Sequence, residues 1–260
     1  MEKNHFLDGC TKRTAAVIGT TSSIGLKLIP DLCDCFDRII LTENENCKDS
    51  LDRQVAWCKE HYPENEFIPV IMDVTKLENV NEFRELLVEK EIKLDSLIYL
   101  AGINYLIPAL ELKEDVWDKV HSVNLKGFFF MAQAAAENMI QGNGGSIVGI
   151  ASQHGVIVND NRAAYCSSKA GMIHLAKELA LEWGKYGIRV NTVSPTMILS
   201  EKNSHILEQP RMKKKYLDSV PLRKYASPED ICESIKFVIS ERAGMITGQN
   251  IIVDGGVTVK

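Results

Sequence analysis

The chain has 260 residues, of which 45% are hydrophobic and 25% charged, and its formal net charge at pH 7 is −5. This length can bury a substantial core, and the composition is that of an ordinary globular protein. The acidic balance argues against a nucleic-acid partner. The polar stretch Met1–Thr14 lacks the apolar core of a signal segment, and the most apolar helical stretch is too short to span a bilayer. We therefore expect a cytoplasmic protein with no membrane partner.

The seven cysteines are spread along the chain and include no Cys-x-x-Cys pair. Their odd number and spacing indicate neither a disulfide framework nor a zinc site. We therefore expect free thiols and no bound metal.

Short β-rich runs alternate with longer helical patterns from end to end, with no linker, repeat or low-complexity tract between them. This alternation predicts one α/β domain over residues 1–260, a doubly wound parallel sheet of about seven strands with helices on both faces. Strands are predicted near Ala15–Ile18, Arg38–Leu41, Phe67–Met72, Ser96–Leu100, Ser146–Ala151, Ile188–Val193 and Asn250–Val253. Helices are predicted near Ile24–Cys33, Ser50–His61, Leu77–Lys90, Lys113–Gln141, Arg162–Lys185 and Pro228–Glu241.

Two features interrupt this alternation. Pro30 falls inside the first helical pattern, where a missing backbone N–H should kink or shorten the helix. The stretch from Thr196 to Lys224 has little strand signal and is long for a plain connection. We expect a substrate lid at about residues 196–224.

A glycine-containing loop, Gly19-Thr20-Thr21-Ser22-Ser23-Ile24-Gly25, follows the first strand and leads directly into helix. Glycines let backbone amides approach a pyrophosphate closely, and the following helix offers its positive N-terminal end. On its own, such a loop is equally compatible with an ordinary strand-to-helix turn.

The second strand ends in Leu41-Thr42-Glu43-Asn44-Glu45. A carboxylate at this place accepts a hydrogen bond from a ribose 2′-hydroxyl and repels a 2′-phosphate. The sequence leaves either Thr42 or Glu43 at the position that meets the ribose, and a solvated loop acid is the simpler interpretation of Glu43. Because no basic residue occurs nearby, we expect NAD as the cofactor, with NADP possible.

Tyr165 and Lys169 are four residues apart in a helical stretch, and Ser152 lies thirteen positions before Tyr165 at the end of a strand. Residues at i and i+4 share a helix face, so the Lys169 ammonium is expected close enough to lower the pKa of the Tyr165 phenol toward neutrality. A phenol tuned in this way can both give and take a proton. The pair alone is also compatible with an exposed phenol beside a solvated lysine.

His154 follows Ser152 by two positions and is a candidate hydrogen-bond partner for a substrate. Gln153, Asn104 and Arg162 are similar polar candidates. The simpler interpretation of His154 is a loop histidine without a catalytic part.

Several separated motifs together resemble the short-chain dehydrogenase/reductase family. They are the glycine loop, Asp73-Val74, Ala101-Gly102, Asn124, Ser152, Tyr165, Lys169 and Ser194-Pro195, in the order and spacing of that family, and the match covers roughly residues 13 to 257. The resemblance implies a Rossmann fold and a nicotinamide cofactor.

The resemblance also implies roles for individual residues. Tyr165 would be the general acid/base, Ser152 the orienting hydroxyl, and Lys169 the group that lowers the pKa of Tyr165 and binds the nicotinamide ribose. Asn124 would hold a water in the proton relay. The cofactor would lie against Gly19, Thr21, Ser22, Ser23, Ile24, Gly25, Glu43, Asp73, Val74, Ala101, Gly102, Tyr165, Lys169, Pro195, Ile198 and Ser200. The substrate would lie against Ser152, His154 and Tyr165.

This chain departs from the family pattern at three places. Ser23 stands for the second loop glycine, Tyr99-Leu100 for the usual Asn-Asn, and Thr196 for the glycine after Pro195. Ser23 is expected to cap the following helix with its hydroxyl.

The resulting expectation is an NAD(P)-dependent oxidoreductase that interconverts a secondary alcohol and a ketone, with a sugar, polyol or small hydroxy acid as substrate. A 3-oxoacyl thioester reductase of the same family is an alternative, and so is a catalytically silent dinucleotide-binding sensor or scaffold. By resemblance we also expect a homo-oligomer, a tetramer or dimer, and the aromatic run Phe128–Met131 suggests an interface.

Overall fold

The computed structural model describes residues 13–200 and 203–259. The outer ends of the predicted domain, Cys10 and residues 201–202 of the predicted lid lie outside the described residues. The strands are β1 Thr14–Ile18, β2 Arg38–Glu43, β3 Glu66–Ile71, β4 Ser96–Tyr99, β5 Gly145–Ile150, β6 Ile188–Pro195 and β7 Asn250–Val253. The helices are α1 Ser23–Cys33, α2 Lys48–His61, α3 Leu77–Glu89, α4 Glu114–His121, α5 Phe128–Ile140, α6 Ala163–Trp183, α7 Ser204–Leu207, α8 Pro210–Leu217 and α9 Pro228–Ile239.

The seven strands form one parallel sheet in the order β3-β2-β1-β4-β5-β6-β7. The strand order reverses between β1 and β4, which creates a crevice at the carboxyl ends of these strands. The prediction of a doubly wound parallel sheet is confirmed. Ligands of such sheets bind in this crevice, so we expect the functional site at the carboxyl ends of β1 and β4.

The two faces of the sheet are both covered, and β1 shows why its sequence lacks polar alternation. All five residues of β1 are buried. Ala16 and Ile18 face the core formed with α3, α5 and α6, whereas Ala15 and Val17 face the core formed with α1, α2 and α9. A strand buried on both faces is apolar at nearly every position, and in β1 only the first residue, Thr14, is polar.

The second of these cores contains three thiols. Cys33, Cys58 and Cys232 belong to α1, α2 and α9 and are buried there. Burial raises the pKa of Cys33 and of Cys232 to about 12 and that of Cys58 to about 11. These cysteines therefore behave as small apolar residues of the core.

The predicted helix Lys113–Gln141 is interrupted. Helix α4 ends at His121, a π-helical turn spans Ser122–Gly127, and α5 begins at Phe128. Tyr99 stabilises the wider turn, because its hydroxyl donates to the Val123 carbonyl at 2.6 Å, and Asn124 within the turn has a fully buried side chain. A Cβ on Gly127 would lie 2.5 Å from the Tyr99 hydroxyl, so glycine is needed there.

Tyr99 thus explains one departure from the family pattern. Its ring is fully buried, and its hydroxyl supports the turn that carries Asn124. Burial raises the pKa of the Tyr99 phenol, which therefore remains a donor. The substitution is structural and does not place a bulky group in the crevice.

The structure bears on two further expectations. Helix α1 runs through Pro30 to Cys33, so the expected shortening does not occur; Leu28, Ile29 and Leu32 are fully buried, and their packing outweighs the missing hydrogen bond. Phe128 and Met131 are fully buried in the core, whereas Phe129 and Phe130 are only partly buried, so the interface expected at this run stays a prediction that rests on the latter two.

The connection between β6 and α9 contains the short helices α7 and α8. Ile198 forms an isolated bridge with Ala226, which ties the start of this connection to the residues before α9. Within the part of the chain that the structure describes, no helix has the length and apolarity that crossing a bilayer requires.

The Tyr99 hydroxyl offers a test of this architecture. Tyr99→Phe leaves the Val123 carbonyl buried without its donor, which costs about 1–3 kcal/mol. For a chain of this length we expect the melting temperature to fall by about 2–4 °C per kcal/mol. Scanning calorimetry measures it, with Tyr186→Phe at a half-exposed site as the control. Equal melting temperatures for the two variants would contradict the role given to Tyr99.

Candidate active site

The glycine loop lies at the carboxyl end of β1, directly against the loop after β4. Gly19 has a positive φ of 87°, and a Cβ there would lie 3.0 Å from the Ala101 nitrogen. A Cβ on Gly25 would collide with the Thr20 carbonyl. Both glycines are therefore required for a backbone that passes close to its neighbours.

Ser22, and not Ser23, caps helix α1. The Ser22 hydroxyl accepts from the Gly25 nitrogen at 3.1 Å and donates to the Gly19 carbonyl at 3.2 Å. Ser23 is already the first helical residue, so its hydroxyl is not at the capping position. The first turn contains no acidic residue, which leaves the positive end of the helix available to an anion. These features fit the pyrophosphate of a dinucleotide.

Glu43 is the last residue of β2 and is buried with 7% exposure. Its Oε1 accepts from both the nitrogen and the hydroxyl of Thr21, each at 2.7 Å, and its Oε2 accepts from the Asn44 nitrogen at 3.3 Å. The interpretation of Glu43 as a solvated loop acid is therefore wrong. The carboxylate is fixed beside the glycine loop, and Oε2 has capacity for a further donor.

The segments after β3 and β4 complete this side of the crevice. Asp73 Oδ1 accepts from the nitrogen and the hydroxyl of Thr75 at 3.0 and 2.7 Å, which shapes the turn that presents Val74. A Cβ on Gly102 would lie 3.3 Å from Lys169 Nζ. The loop after β4 therefore approaches helix α6 closely.

Asn124 joins three elements. Its Oδ1 accepts from the Ile103 nitrogen at 2.8 Å, and its Nδ2 donates to the Ile103 carbonyl and to the Ser168 hydroxyl, both at 3.0 Å. The side chain has no exposed surface. The loop after β4, the π-helical turn and α6 are thus held together by one amide.

Lys169 lies on the same face of α6 as Tyr165, with Nζ 5.9 Å from the centre of the Tyr165 ring. Its ammonium is buried and donates to the Ile150 carbonyl at 2.6 Å. Burial lowers the pKa of Lys169 from 10.5 to about 7. This amine can therefore exchange a proton near neutral pH.

The pKa of Tyr165 is raised, whereas the sequence led us to expect a lowered value. Burial of the phenol is the largest cause, and interaction with the Ser152 hydroxyl and the positive charge of Arg162 oppose it. The effect of desolvation exceeds any stabilisation of the phenolate by Lys169, because the amine of Lys169 is itself buried and hydrogen-bonded to the Ile150 carbonyl. Tyr165 is thus protonated at neutral pH.

Ser152 follows β5 and is buried with 6% exposure. Its Oγ accepts from the His154 nitrogen at 3.1 Å and caps the short turn Gln153–Gly155. The His154 ring stands edge-on to Tyr165, with centroids 6.4 Å apart. Burial and the charge of Arg162 lower the pKa of His154, so its imidazole is neutral at pH 7.

Gln153 is buried in the same turn, and its Oε1 has no hydrogen-bond partner among the described residues. A buried acceptor without a donor is costly and calls for a ligand or water. The sequence marked Gln153 only as one polar candidate among several, because burial and the missing partner are properties of the folded chain.

The last predicted cofactor residues lie beyond β6. Pro195 ends the strand, and the Thr196 nitrogen donates to the Val253 carbonyl at 3.1 Å. The Ser200 nitrogen donates to Asn203 Oδ1 at 2.9 Å, and Asn203 also donates to the Ile198 carbonyl. The segment therefore has a defined shape beside the crevice.

Two residues of the site carried no sequence signal. The Ser168 hydroxyl of α6 accepts a hydrogen bond from Asn124, and the Tyr216 hydroxyl of α8 accepts one from the Met197 nitrogen after Pro195. Both contacts join positions far apart in the chain. In residues 13–200 and 203–259, no group of three or more His, Cys, Asp or Glu side chains is arranged to hold a metal ion.

Comparison with known proteins agrees with this geometry. A family model described as enoyl-(acyl carrier protein) reductase, of the short-chain dehydrogenase/reductase type, matches residues 18–258. An NAD-dependent glycerol dehydrogenase of Listeria innocua is 35% identical over 96% of this chain and 95% of the relative. A 3-oxoacyl-acyl-carrier-protein reductase, FabG, of Rickettsia conorii is 34% identical over 95% of this chain and 97% of the relative.

A solved structure extends the comparison. The crystal structure of a gluconate 5-dehydrogenase from Burkholderia cenocepacia, in complex with NADP and tartrate, superposes with a TM-score of 0.87 at 25% identity. The alignment covers 98% of this chain and 97% of that chain.

The buried amine predicts a distinctive pH dependence of stability. Because the pKa of Lys169 in the folded chain is about 7, below its ordinary 10.5, the burial penalty is complete below about pH 7 and disappears as the pH rises toward 10.5. Lys169→Met removes this titration. The melting temperature of the variant, relative to the wild type, should therefore be highest at about pH 6.5 and fall toward about pH 9.5.

Calorimetry across this pH range measures the difference, and Lys59→Met on the exposed face of α2 is the control. A wild type and a Lys169→Met variant with parallel pH profiles would refute the assigned burial of charge.

Proposed function

The chain belongs to the short-chain dehydrogenase/reductase family, and we propose that it oxidises a secondary hydroxyl of a small polyol with NAD. At the coarser level, the protein is an NAD(P)-dependent oxidoreductase that interconverts an alcohol and a ketone. The observation that carries the finer proposal is Gln153, a buried acceptor without a donor, in the turn that begins after Ser152.

The cofactor site is proposed from the groups that meet at the switch point of the sheet. Gly19, Thr21, Ser22, Ser23, Ile24 and Gly25 would hold the pyrophosphate, and Asp73, Val74, Ala101 and Gly102 would flank the adenosine. Lys169, Pro195, Ile198 and Ser200 would meet the nicotinamide end. When bound, the nicotinamide supplies the centre that accepts or donates hydride.

Side chains of this protein would transfer the proton to and from the substrate oxygen. Tyr165, protonated at neutral pH, is ready to donate to a carbonyl oxygen, and in the direction of alcohol oxidation it must first lose its proton. Ser152 would hold the substrate oxygen beside the phenol. Lys169 has a pKa of about 7 and can relay the proton, and Asn124 would order a water next to it.

The preference for NAD is supported by Glu43. Thr21 fixes the carboxylate through two hydrogen bonds to Oε1, and Oε2 can accept from a ribose 2′-hydroxyl. A 2′-phosphate would meet a buried negative charge there, which costs more than at the surface. The relative from Listeria innocua is named as NAD-dependent, although the gluconate 5-dehydrogenase structure contains NADP.

The polyol is favoured by the polar surroundings of Tyr165. A second hydroxyl next to the reacting carbon can donate to Gln153 Oε1, and the neutral His154 imidazole is a further partner. A site with buried polar groups discriminates strongly against analogues that leave them unpaired. The names of two relatives, a glycerol dehydrogenase and a gluconate 5-dehydrogenase, support the same class of substrate.

A reductase of 3-oxoacyl thioesters is the second candidate, because the Rickettsia conorii relative of equal coverage has that name. Next to its reacting carbonyl such a substrate carries an alkyl chain and a thioester carbonyl, neither of which donates a hydrogen bond, so the Gln153 acceptor would be left without a donor.

Location and assembly are also proposals. The described cysteines are all free, which suits a reducing compartment such as the cytoplasm. Exposed Met245, Ile252 and Val259 near edge strand β7 support a dimer or tetramer.

The substrate class is tested by following nicotinamide absorbance with glycerol, tetritols, simple secondary alcohols and 3-oxoacyl thioesters. We expect turnover with NAD and a polyol, and a loss of about 10²- to 10⁴-fold in kcat for Tyr165→Phe, because the proton donor is removed. Gln153→Leu should lower kcat/KM for the polyol by about tenfold and leave simple secondary alcohols unaffected.

Tyr105→Phe, on an exposed ring after β4, is the matched control for the loss of a phenolic hydroxyl. Faster turnover of a thioester than of any polyol would sink the proposed substrate class. Saturable NAD binding with no turnover across the panel would instead favour a sensor.

The cofactor preference is tested by Glu43→Ala. Removing the carboxylate takes away both the acceptor for the 2′-hydroxyl and the repulsion of the 2′-phosphate. The ratio of kcat/KM for NADP to that for NAD should rise by about tenfold or more, which corresponds to about 1.4 kcal/mol. Glu45→Ala, an exposed acid two residues later, is the control. An unchanged ratio would contradict the role of Glu43.

A further inference from the structure

Tyr216 of α8 reaches across to the end of β6. Its hydroxyl is within hydrogen-bonding distance of the Thr196 hydroxyl and accepts from the Met197 nitrogen at 3.1 Å. Because the phenol oxygen accepts from Met197, its own hydrogen remains available for Thr196. Tyr216 thus holds two groups that follow Pro195, the side chain of Thr196 and the backbone N–H of Met197.

The ring of Tyr216 is held from its other side. It stacks on Tyr225 with centroids 4.8 Å apart and planes 5° from parallel. The Tyr225 hydroxyl donates to the Leu207 carbonyl at 2.7 Å, at the end of α7. Both short helices are therefore tied to the strand end through two stacked phenols.

Burial raises the pKa of the Tyr216 phenol, against the opposing effect of its contact with Thr196. The phenol is consequently neutral and able to donate throughout the physiological pH range. Thr196 is itself buried, so the pair is sheltered from competing water.

Thr196 is also the position at which this chain departs from its family, which has glycine there. Glycine has no hydroxyl, so it cannot make the contact with Tyr216. The threonine at position 196 therefore supplies the hydroxyl that the contact with Tyr216 requires.

We propose that Tyr216 is a positioning residue that latches α8 onto Thr196 and Met197 and so holds the segment Pro195–Ser200 in the shape that receives the nicotinamide end of the cofactor. The assignment of that segment to the cofactor rests on the proposed function. The latch itself rests on contacts within the chain.

Tyr216→Phe tests the latch, because it keeps the stacked ring and removes only the hydroxyl. Thr196→Val removes the partner hydroxyl at similar volume, and Thr196→Ser should restore wild-type behaviour. Tyr186→Phe, on a half-exposed ring, is the matched control. The measurements are the rate of tryptic cleavage in α8, at exposed Arg211, Lys213 and Lys214, and the Kd for NADH by titration calorimetry.

For Tyr216→Phe we expect cleavage and Kd each to rise by about fivefold, the effect of one net hydrogen bond, with kcat at saturation equal or higher. In the Thr196→Val background, Tyr216→Phe should have a smaller effect than in the wild type, because only the hydrogen bond from the Met197 nitrogen remains to be lost.

Unchanged cleavage and Kd in both single variants would overturn the proposal, and so would effects that add fully in the double variant. A lowered melting temperature without a change in cleavage or Kd would also overturn it, since the role would then be merely structural. A wild type that binds neither NAD nor NADH would refute the proposed function, while the cleavage rates would still decide whether the latch exists.

Discussion

The amide of Asn124 is the contact on which the rest of the site depends. It meets both backbone groups of Ile103 and the hydroxyl of Ser168, and so fixes the distance between the loop after β4 and helix α6. The position of Asn124 depends on the π-helical turn, which is stabilised by the hydrogen bond from the Tyr99 hydroxyl to the Val123 carbonyl. A polar group with no exposed surface and several partners tolerates little displacement, because each lost contact leaves a buried group unpaired.

Burial dominates the electrostatics of the same region. It raises the pKa of Tyr165 and lowers that of Lys169, so both groups move toward their neutral forms near neutral pH. Because the ordinary pKa values of tyrosine and lysine both lie at about 10, these opposite shifts move the two proton affinities apart, so the phenol keeps its proton while the amine titrates near neutrality. The family resemblance predicted a charged lysine acting on a phenol, whereas the structure supports a desolvated pair in which the phenol holds its proton and the amine titrates near neutrality.

The sequence predicted the sheet because its strands and helices follow from patterns within the chain, and candidate residues that it named, such as Tyr165 and Lys169, lie close together in the fold. Apolar strands such as β1 and the glycine loop are visible without any knowledge of packing. The interruption of the predicted helix at Ser122–Gly127 could not be predicted, since it depends on a hydrogen bond from Tyr99, which lies in strand β4. For the same reason the pKa of Tyr165, the capping role of Ser22 and the contact of Tyr216 with Thr196 emerged only from the folded chain.

The three thiols buried between α1, α2 and α9 are unreactive while the helices pack on the sheet, unlike the exposed Cys35 that follows α1. A thiolate, not a thiol, reacts with alkylating reagents, and burial holds Cys33, Cys58 and Cys232 in the thiol form. Any modification of these side chains must therefore wait for the helices to separate from the sheet. The rate of alkylation at these three positions, measured separately from that at exposed Cys35, therefore reports how often this layer opens, and no label has to be introduced into the protein.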